Sequence, residues 1–529
     1  MSHLLRPLTS RLPLLALLLC LLPALTPSVA QAQMELETIN LREDTEAQAD
    51  LDEALKSYKK RNFLRASLLL HRIVSGSEVA VTPVQQKAEY TLGKTMYRLG
   101  LFQASLNYFT RVVQAGRSHR YFKATCKWLY YLSRKLSGDP ALLEKIAKYT
   151  PDDCPAEFRD ELGYLVGQYH YKKGALQKGL QRLSQINPNS QYFPKAKFLE
   201  GISHVRLDQP KPAVERFKEL LRVTATSDLP SEDLKYFNQL AIMSMARVFY
   251  STGQFDLSVK YYDRVPLESA LWLDALFEAS WAFFRLNNHG KSLGHLHTLN
   301  SPFFSDEYYP EAQILESVIF YANCDYDRTL AILDEFQVIY EPLRDEIKGY
   351  LERYADPAEF YAFLQKMQKG GARLSPRINQ IVSAANRDKQ LRRIAAYVSE
   401  LEREIALIEK SKSSWSRSSL AQGIIQDLTV TKDLAVYEAG RLAKDRLKRV
   451  VSELNELISQ NLKIRFEVAS ARKGVVENRL NKEGFANKAG RAGPNYATDD
   501  EHIYWPFNGE YWRDELGYYV YTIQSECRR

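Results

Sequence analysis

A small residue returns at near-regular intervals along this chain, at Ala54, Gly93, Gly167, Gly201, Ala246, Ser280 and Ser317, with gaps of 39, 74, 34, 45, 34 and 37 residues. Each stands in the first of two amphipathic helical patterns joined by a turn. The stretch from Tyr90 to Phe109 is the clearest: Leu92, Gly93, Met96 and Tyr97 mark one helix, Gly100 stops it, and Phe102, Ser105, Tyr108 and Phe109 mark the next. Small residues let two antiparallel helices approach where they cross, and the aromatics fill the space to either side. One such hairpin cannot bury its own apolar face, so the pattern demands a tandem array. Copies run from Tyr164 to Leu180, Ala196 to Phe217, Met243 to Tyr262, Leu276 to Leu293 and Ile314 to Leu330, with Ala54, Tyr58, Phe63 and Ala66 in the same frame at the front. The gap of 74 holds two units, which predicts a degenerate hairpin over Tyr121 to Thr150.

The order of large, small and aromatic residues in Tyr90 to Phe109, with the proline-closed copy at Ile186-Asn187-Pro188, resembles the tetratricopeptide repeat (TPR). That resemblance implies an all-α, right-handed α-solenoid whose first helices line a concave groove for segments of partner proteins. Carried over by the motif, the groove positions are Tyr90, Lys94 and Arg98, then Tyr164, Gln168 and Lys172, then Phe198 and Arg206, and then Met243 and Arg247. A basic groove with an apolar floor suits an acidic peptide. The asparagines of the family's carboxylate clamp are missing here, which leaves recognition of a free C-terminus open. A merely solvated basic face is the alternative.

Residues 1–32 read as an export signal: Arg6 and Arg11, an apolar run from Leu12 to Leu25, and small residues at Ser28-Val29-Ala30-Gln31-Ala32 for cleavage after Ala30 or Ala32. The run is shorter than a membrane span requires, and Leu19 before Cys20 departs from a lipidation motif. Residues 33–50 form a polar lead-in. The repeats are expected over 51–368, with Pro342 to Gln368 as the hairpin that caps the last apolar face, and Gly370-Gly371 as a break before a helix start at Ser375-Pro376.

Beyond the break the apolar period changes to 3 and 4. One heptad seam is Leu391, Ile394, Val398, Leu401, Ile405 and Ile408; the second runs Val436, Gly440, Ala443, Leu447, Val450, Leu454, Leu457, Asn461, Ile464 and Val468. Over 375–480 this predicts a coiled-coil helical hairpin, either folded on itself as an arm of about 50 Å or paired between chains in a homo-oligomer. Residues 481–529 complete the chain as a basic, glycine-containing linker and an aromatic tail. In the tail Tyr504, Trp505, Phe507, Tyr511 and Trp512 either dock a partner or fold back on the helices, and Tyr518 to Ile523 has the composition of a short strand.

The residue patterns of the common catalytic and phosphate-binding motifs are missing from the sequence, so no catalytic residue, cofactor or metal ligand is assigned. His295 and His297 could form half a metal site, but positions i and i+2 point to different helix faces, which favours surface histidines. A net charge of +8 over 529 residues, with no single dense basic domain carrying base-stacking aromatics, argues against a dedicated nucleic-acid binder, and no small-molecule substrate is implied. Cys126 and Cys154, within one hairpin, are either bridged or free. The expected protein is a non-catalytic periplasmic scaffold, associated with the outer membrane or free of it, that holds other envelope proteins. The tail WPFNGEYWRDELGYY and the domain order look similar to periplasmic TPR proteins of myxobacterial gliding-motility complexes. The alternatives are an accessory factor in outer-membrane protein or polysaccharide export, and a cell-wall-acting enzyme.

Overall fold

The computed structural model describes residues 45–76, 82–136, 141–226, 232–304, 307–368, 389–481 and 509–527. The expected export signal, most of the expected polar lead-in, the expected break at Gly370-Gly371 and helix start at Ser375-Pro376, most of the basic linker, and Tyr504, Trp505 and Phe507 lie outside them. Among the described residues the fold is all-α. Eight helical hairpins follow one another: α1 (45–59) with α2 (Phe63–Ser75), α3 (Pro83–Leu99) with α4 (Phe102–Ala115), α5 (Phe122–Ser133) with α6 (Leu142–Ile146), α7 (Arg159–Lys172) with α8 (Leu176–Leu183), α9 (Phe193–Arg206) with α10 (Pro210–Thr226), α11 (Glu232–Ser251) with α12 (Phe255–Tyr262), α13 (Trp272–Arg285) with α14 (His289–Leu299), and α15 (Pro310–Ala322) with α16 (Tyr326–Arg353). Residues 45–50 of the expected lead-in are already part of α1.

One local rule builds these hairpins. The small residue of each first helix faces a second small residue twelve positions on: Ala54 and Ala66, Gly93 and Ser105, Gly167 and Gly179, Gly201 and Ala213, Ala246 and Ser258, Ser280 and Ser292, Ser317 and Thr329, all buried. A Cβ on Gly93 would stand 2.8 Å from the Phe109 ring, so a larger residue at this crossing requires the ring to shift. Where the second residue is serine, its hydroxyl donates to the carbonyl opposite: Ser105 to Gly93 at 2.8 Å, Ser258 to Ala246 at 2.9 Å, Ser292 to Ser280 at 2.8 Å. The turn between helices needs one left-handed residue, seven positions after the first small one. Gly100 supplies it at φ 82°, but Arg61, Asp208, Asn287 and Cys324 take the same conformation without glycine's freedom.

The degenerate third hairpin is present, with α6 reduced to a short helix. A Cys126–Cys154 disulfide, Cα atoms 5.6 Å apart, ties α5 to the segment after α6. The Tyr149 hydroxyl donates to the Phe122 carbonyl at 3.0 Å beneath it. Of the two readings left open for these cysteines, the structure takes the bridge.

The C-terminal third departs from expectation. Three more helices and a short turn of helix follow: α17 (Pro357–Gln368), α18 (Lys389–Glu409), α19 (Ser413–Ser416) and α20 (Ser419–Asn481). With 63 residues, α20 is about 95 Å long. The helices α18 and α20 do form a hairpin, but it is no free arm. Leu391, Val398, Leu401, Ile408, Trp415, Leu428, Ala443 and Leu454 lie in one buried core with Leu51 of α1, Leu70 of α2, Leu92 of α3, Ala104 of α4, Ile347 of α16 and Phe360 of α17. A division near residue 370 therefore separates no independent core. The second seam faces the solenoid rather than the first seam alone: Leu457, Ile458, Ile464 and Val468 cover Ile314, Leu333 and Phe336 of the eighth hairpin. It is this half of α20, and not Pro342 to Gln368, that caps the last apolar face. Pro342 lies inside α16, which simply continues through it.

Polar contacts fix the hairpin at both ends. The Glu404 carboxylate of α18 accepts from the Gln103 and Ala104 amides at the start of α4, at 2.6 and 3.4 Å. The Trp415 indole N–H donates to the Ser67 hydroxyl at 2.9 Å. Lys444 of α20 donates to the carbonyls of Leu351 (3.2 Å), Ala355 (2.9 Å) and Tyr354 at the end of α16. Asn461, the polar residue on the seam, donates to the Leu333 carbonyl at 2.8 Å and accepts from Arg465, which pairs with Asp334 at 2.6 Å. It fixes register against α16.

Gly440 gives a test whose sign discriminates. Alanine in a helix interior normally stabilises by up to about 1 kcal/mol over glycine, yet a Cβ at Gly440 would overlap the Pro357 carbonyl oxygen at the start of α17. Gly440→Ala is expected to lower the melting temperature of the full chain; an unchanged or higher one in a thermal unfolding scan would show that α17 and α20 do not pack this closely.

Candidate partner-binding surface

The groove positions carried over from the motif lie on the first helices, where the same faces also meet the next hairpin. That second duty claims most of them. The Tyr90 ring stacks on Tyr121 at 4.6 Å, and its hydroxyl accepts from the Trp128 indole N–H at 3.0 Å. The Lys94 ammonium lies among the rings of Tyr58, Tyr90 and Trp128, at 5.2, 5.4 and 5.9 Å. Burial there, with Arg98 adding to it, lowers its pKa. Gln168 donates to the Tyr164 hydroxyl at 2.8 Å, and Tyr164 in turn packs on Tyr192 at 5.7 Å. Phe198 sits between Phe217 and Phe237, at 6.1 and 5.8 Å. Met243, at 1% exposure, is a core residue and lines no groove, because its position on α11 faces Val259 and Ala275 of the flanking helices. Arg247 pairs across hairpins with Glu278 at 2.6 Å, the same carboxylate that accepts from the Tyr262 hydroxyl at 2.9 Å.

Arg98, Lys172 and Arg206 remain on the surface. Arg206 lies over the Tyr171 ring at 4.8 Å and donates to the Tyr171 carbonyl at 3.1 Å. These three are the last-turn cations of α3, α7 and α9, where a positive charge also complements the helix dipole.

The described part of the tail, 509–527, lies back along α14 and α15. Its backbone amides donate into the solenoid: Gly517 to the Thr298 hydroxyl at 3.0 Å, Tyr521 to the Gly290 carbonyl at 3.0 Å, and Glu526 to the Asn323 carbonyl at 2.8 Å. Gly290 and Gly294, one turn apart on α14, form the seat, since a Cβ on Gly294 would overlap the Tyr519 carbonyl oxygen. Residues 519–523 form no strand. Tyr511 stacks on His297 at 4.7 Å, Tyr521 meets Phe320 edge-on at 5.9 Å, and Leu516 is buried. A Cys324–Cys527 disulfide closes the strap, joining positions 203 residues apart. Of the docking aromatics in the described tail, Tyr511 is spent on this contact, whereas Trp512 is 52% exposed beside Tyr518 at 76%. Arg513 lies over the equally outward Phe303 ring at 5.9 Å.

The two histidines are not surface residues. His295 is buried edge-on against Phe283 at 5.2 Å, and burial lowers its pKa to about 4, so the ring is neutral at pH 7. His297 is covered by the tail. Among the described residues, no group of three or more His, Cys, Asp or Glu side chains is placed to hold a metal ion. The tail seat had one legible signal, the glycine pair in HGKSLGHL; the Cys324–Cys527 pairing had none.

No family model and no curated protein matches the chain. Solved structures do, at low identity. A tetratricopeptide repeat protein from Parabacteroides merdae is 13% identical, with 55% of this chain and 93% of that one covered and a TM-score of 0.24. The apo form of RapI is 10% identical over 74% of this chain and 98% of that one, with a TM-score of 0.32. Yeast Tom70 is 14% identical over 74% and 97%, with a TM-score of 0.20. The chain is an all-α solenoid that resembles TPR proteins.

Gly294→Ala is expected to unseat the strap while Cys527 still tethers it. Limited proteolysis of the oxidised variant would then cut between Trp512 and Tyr521 faster than in the parent; equal rates would mean that the glycine seat does not hold the tail.

Proposed function

We propose that this chain is a non-catalytic scaffold of the bacterial cell envelope, exported to the periplasm, that gathers partner proteins of an envelope-spanning complex. The observation that carries this reading is that one shared core consumes both ends of the solenoid. A repeat array ordinarily offers extended surfaces to partners. Here the last apolar face and the first hairpins are both covered by α18 and α20, so the chain presents a long, internally braced side surface. On that surface stands a strapped tail with Trp512, Arg513 and Tyr518 outward, the residue types that dominate protein interfaces. Two disulfides support an oxidising compartment and so favour export. The tail's likeness to gliding-motility scaffolds makes such a machine the first to test.

The test is affinity purification of the full chain from crosslinked envelopes, beside a Trp512→Ala/Tyr518→Ala variant. A defined set of envelope proteins, part of it lost in the variant, is expected. Recovery of outer-membrane assembly or polysaccharide-export components alone would favour the export-accessory reading. Release of soluble fragments from sacculi by the purified protein would overturn the non-catalytic reading. Truncation near residue 370 is not a usable control, because it strips Leu401 and Leu454 from the core of the first hairpins.

A further inference from the structure

Along the edge where first helices end and second helices begin, one position carries a cation in each of the first five hairpins. It is five residues after the small residue of the first helix: Lys59, Arg98, Lys172 and Arg206, all exposed. In the degenerate third hairpin, which has Tyr130 in place of a small residue, Lys135 corresponds by contact: it lies over the Phe102 ring of the preceding hairpin at 6.0 Å, as Arg285 lies over Phe255 at 4.8 Å in the seventh. The five are 39, 37, 37 and 34 residues apart, and the row ends at Ser251. Neighbours strengthen it: Lys60 and Arg61, and Lys173; Arg134 is paired with Glu161 at 3.5 Å. In the described turns of these five hairpins the one carboxylate is Asp208; the first turns of α2, α4, α8 and α10 hold no acid, and that of α6 holds Glu144. The chain itself places a carboxylate on this edge, Glu404 against the start of α4.

We infer that this edge is a docking surface for an extended acidic segment of a partner protein. The inference rests on the scaffold reading above and names the chemistry of one partner. Packed helices stand about 10 Å apart, and an extended chain advances about 3.3 Å per residue. A segment with Asp or Glu at every third position therefore matches the row cation for cation over about 40 Å, four packing steps. A periodic row of like charge in solvent attracts such a segment from a distance and loses that attraction in salt.

The test uses the full, oxidised chain and poly-L-glutamate as the probe. A Lys59→Glu/Arg98→Glu/Lys172→Glu variant is expected to bind it at least roughly tenfold more weakly, with a flatter salt dependence. A control of equal charge change off the row, Lys123→Glu/Lys218→Glu/Lys410→Glu, is expected to stay within about twofold of the parent. Circular dichroism and melting of both variants separate misfolding from lost binding, and Lys59→Gln/Arg98→Gln/Lys172→Gln gives the same comparison at lower charge cost. Equal weakening by row and control variants would overturn the inference, leaving only net charge at work. So would a row variant that melts lower yet binds as before, since the cations would then serve only their helix dipoles. Binding of the parent to phosphatidylglycerol vesicles but not to poly-L-glutamate would overturn the peptide assignment in favour of a lipid surface. Partner recovery from envelopes that survives loss of the row leaves the scaffold reading standing without it.

Discussion

Two polar side chains of opposite type, placed on two helix ends of opposite polarity, set the register in which this molecule closes. Glu404 meets the amide end of α4 and Lys444 meets the carbonyl end of α16. A helix leaves four amides unsatisfied at its start and four carbonyls at its end, and each terminus carries a partial charge. The α18 and α20 hairpin answers one terminus from the second hairpin and one from the eighth. Burial lifts the Glu404 carboxyl to about 7 against the pull of its amide donors, so desolvation outweighs helix polarity at this contact. The apolar core around Leu401 and Leu454 supplies the bulk of the attraction, roughly 2 kcal/mol or more for each fully buried leucine. The charged contacts set register, which apolar area alone does not.

Closure changes what the rest of the surface is for. In an open array both terminal hairpins need polar caps of their own. Here one 63-residue helix does both jobs, sharing a core with the first hairpins through its early turns and covering Ile314 and Phe336 with its later ones. The first-helix faces between are filled by inter-hairpin contacts: Tyr90 on Tyr121, Phe198 on Phe237, Arg247 on Glu278. The turn edge with its row of cations faces outward, as does the tail, held in the Gly290–Gly294 seat and at Cys324.

The hairpins were legible in the sequence because their rule is local. A small residue, a turn and a second small residue within twelve positions report a helix crossing wherever they occur, and the third, degenerate unit was found from the double gap alone. The partner of the heptad seam was not legible. Heptad spacing records an apolar stripe and its pitch, and Leu454 reads the same whether another seam or a solenoid covers it. Groove and inter-hairpin positions share the same helix face, so Tyr90 and Met243 could not be told from Arg98 by register. Cys324 and Cys527 are too far apart in sequence for any local pattern to join them.

Native-state hydrogen exchange on a Leu401→Ala variant tests closure most directly. Leu401 is wholly buried in the core shared by α18, α20 and α1 to α4. Removing its side-chain bulk is expected to cost about 2 to 5 kcal/mol and to lower amide protection in α1 to α4 together with α18. Loss of protection confined to α18 and α20, with α1 to α4 unchanged, would contradict a closed solenoid and restore a separate arm.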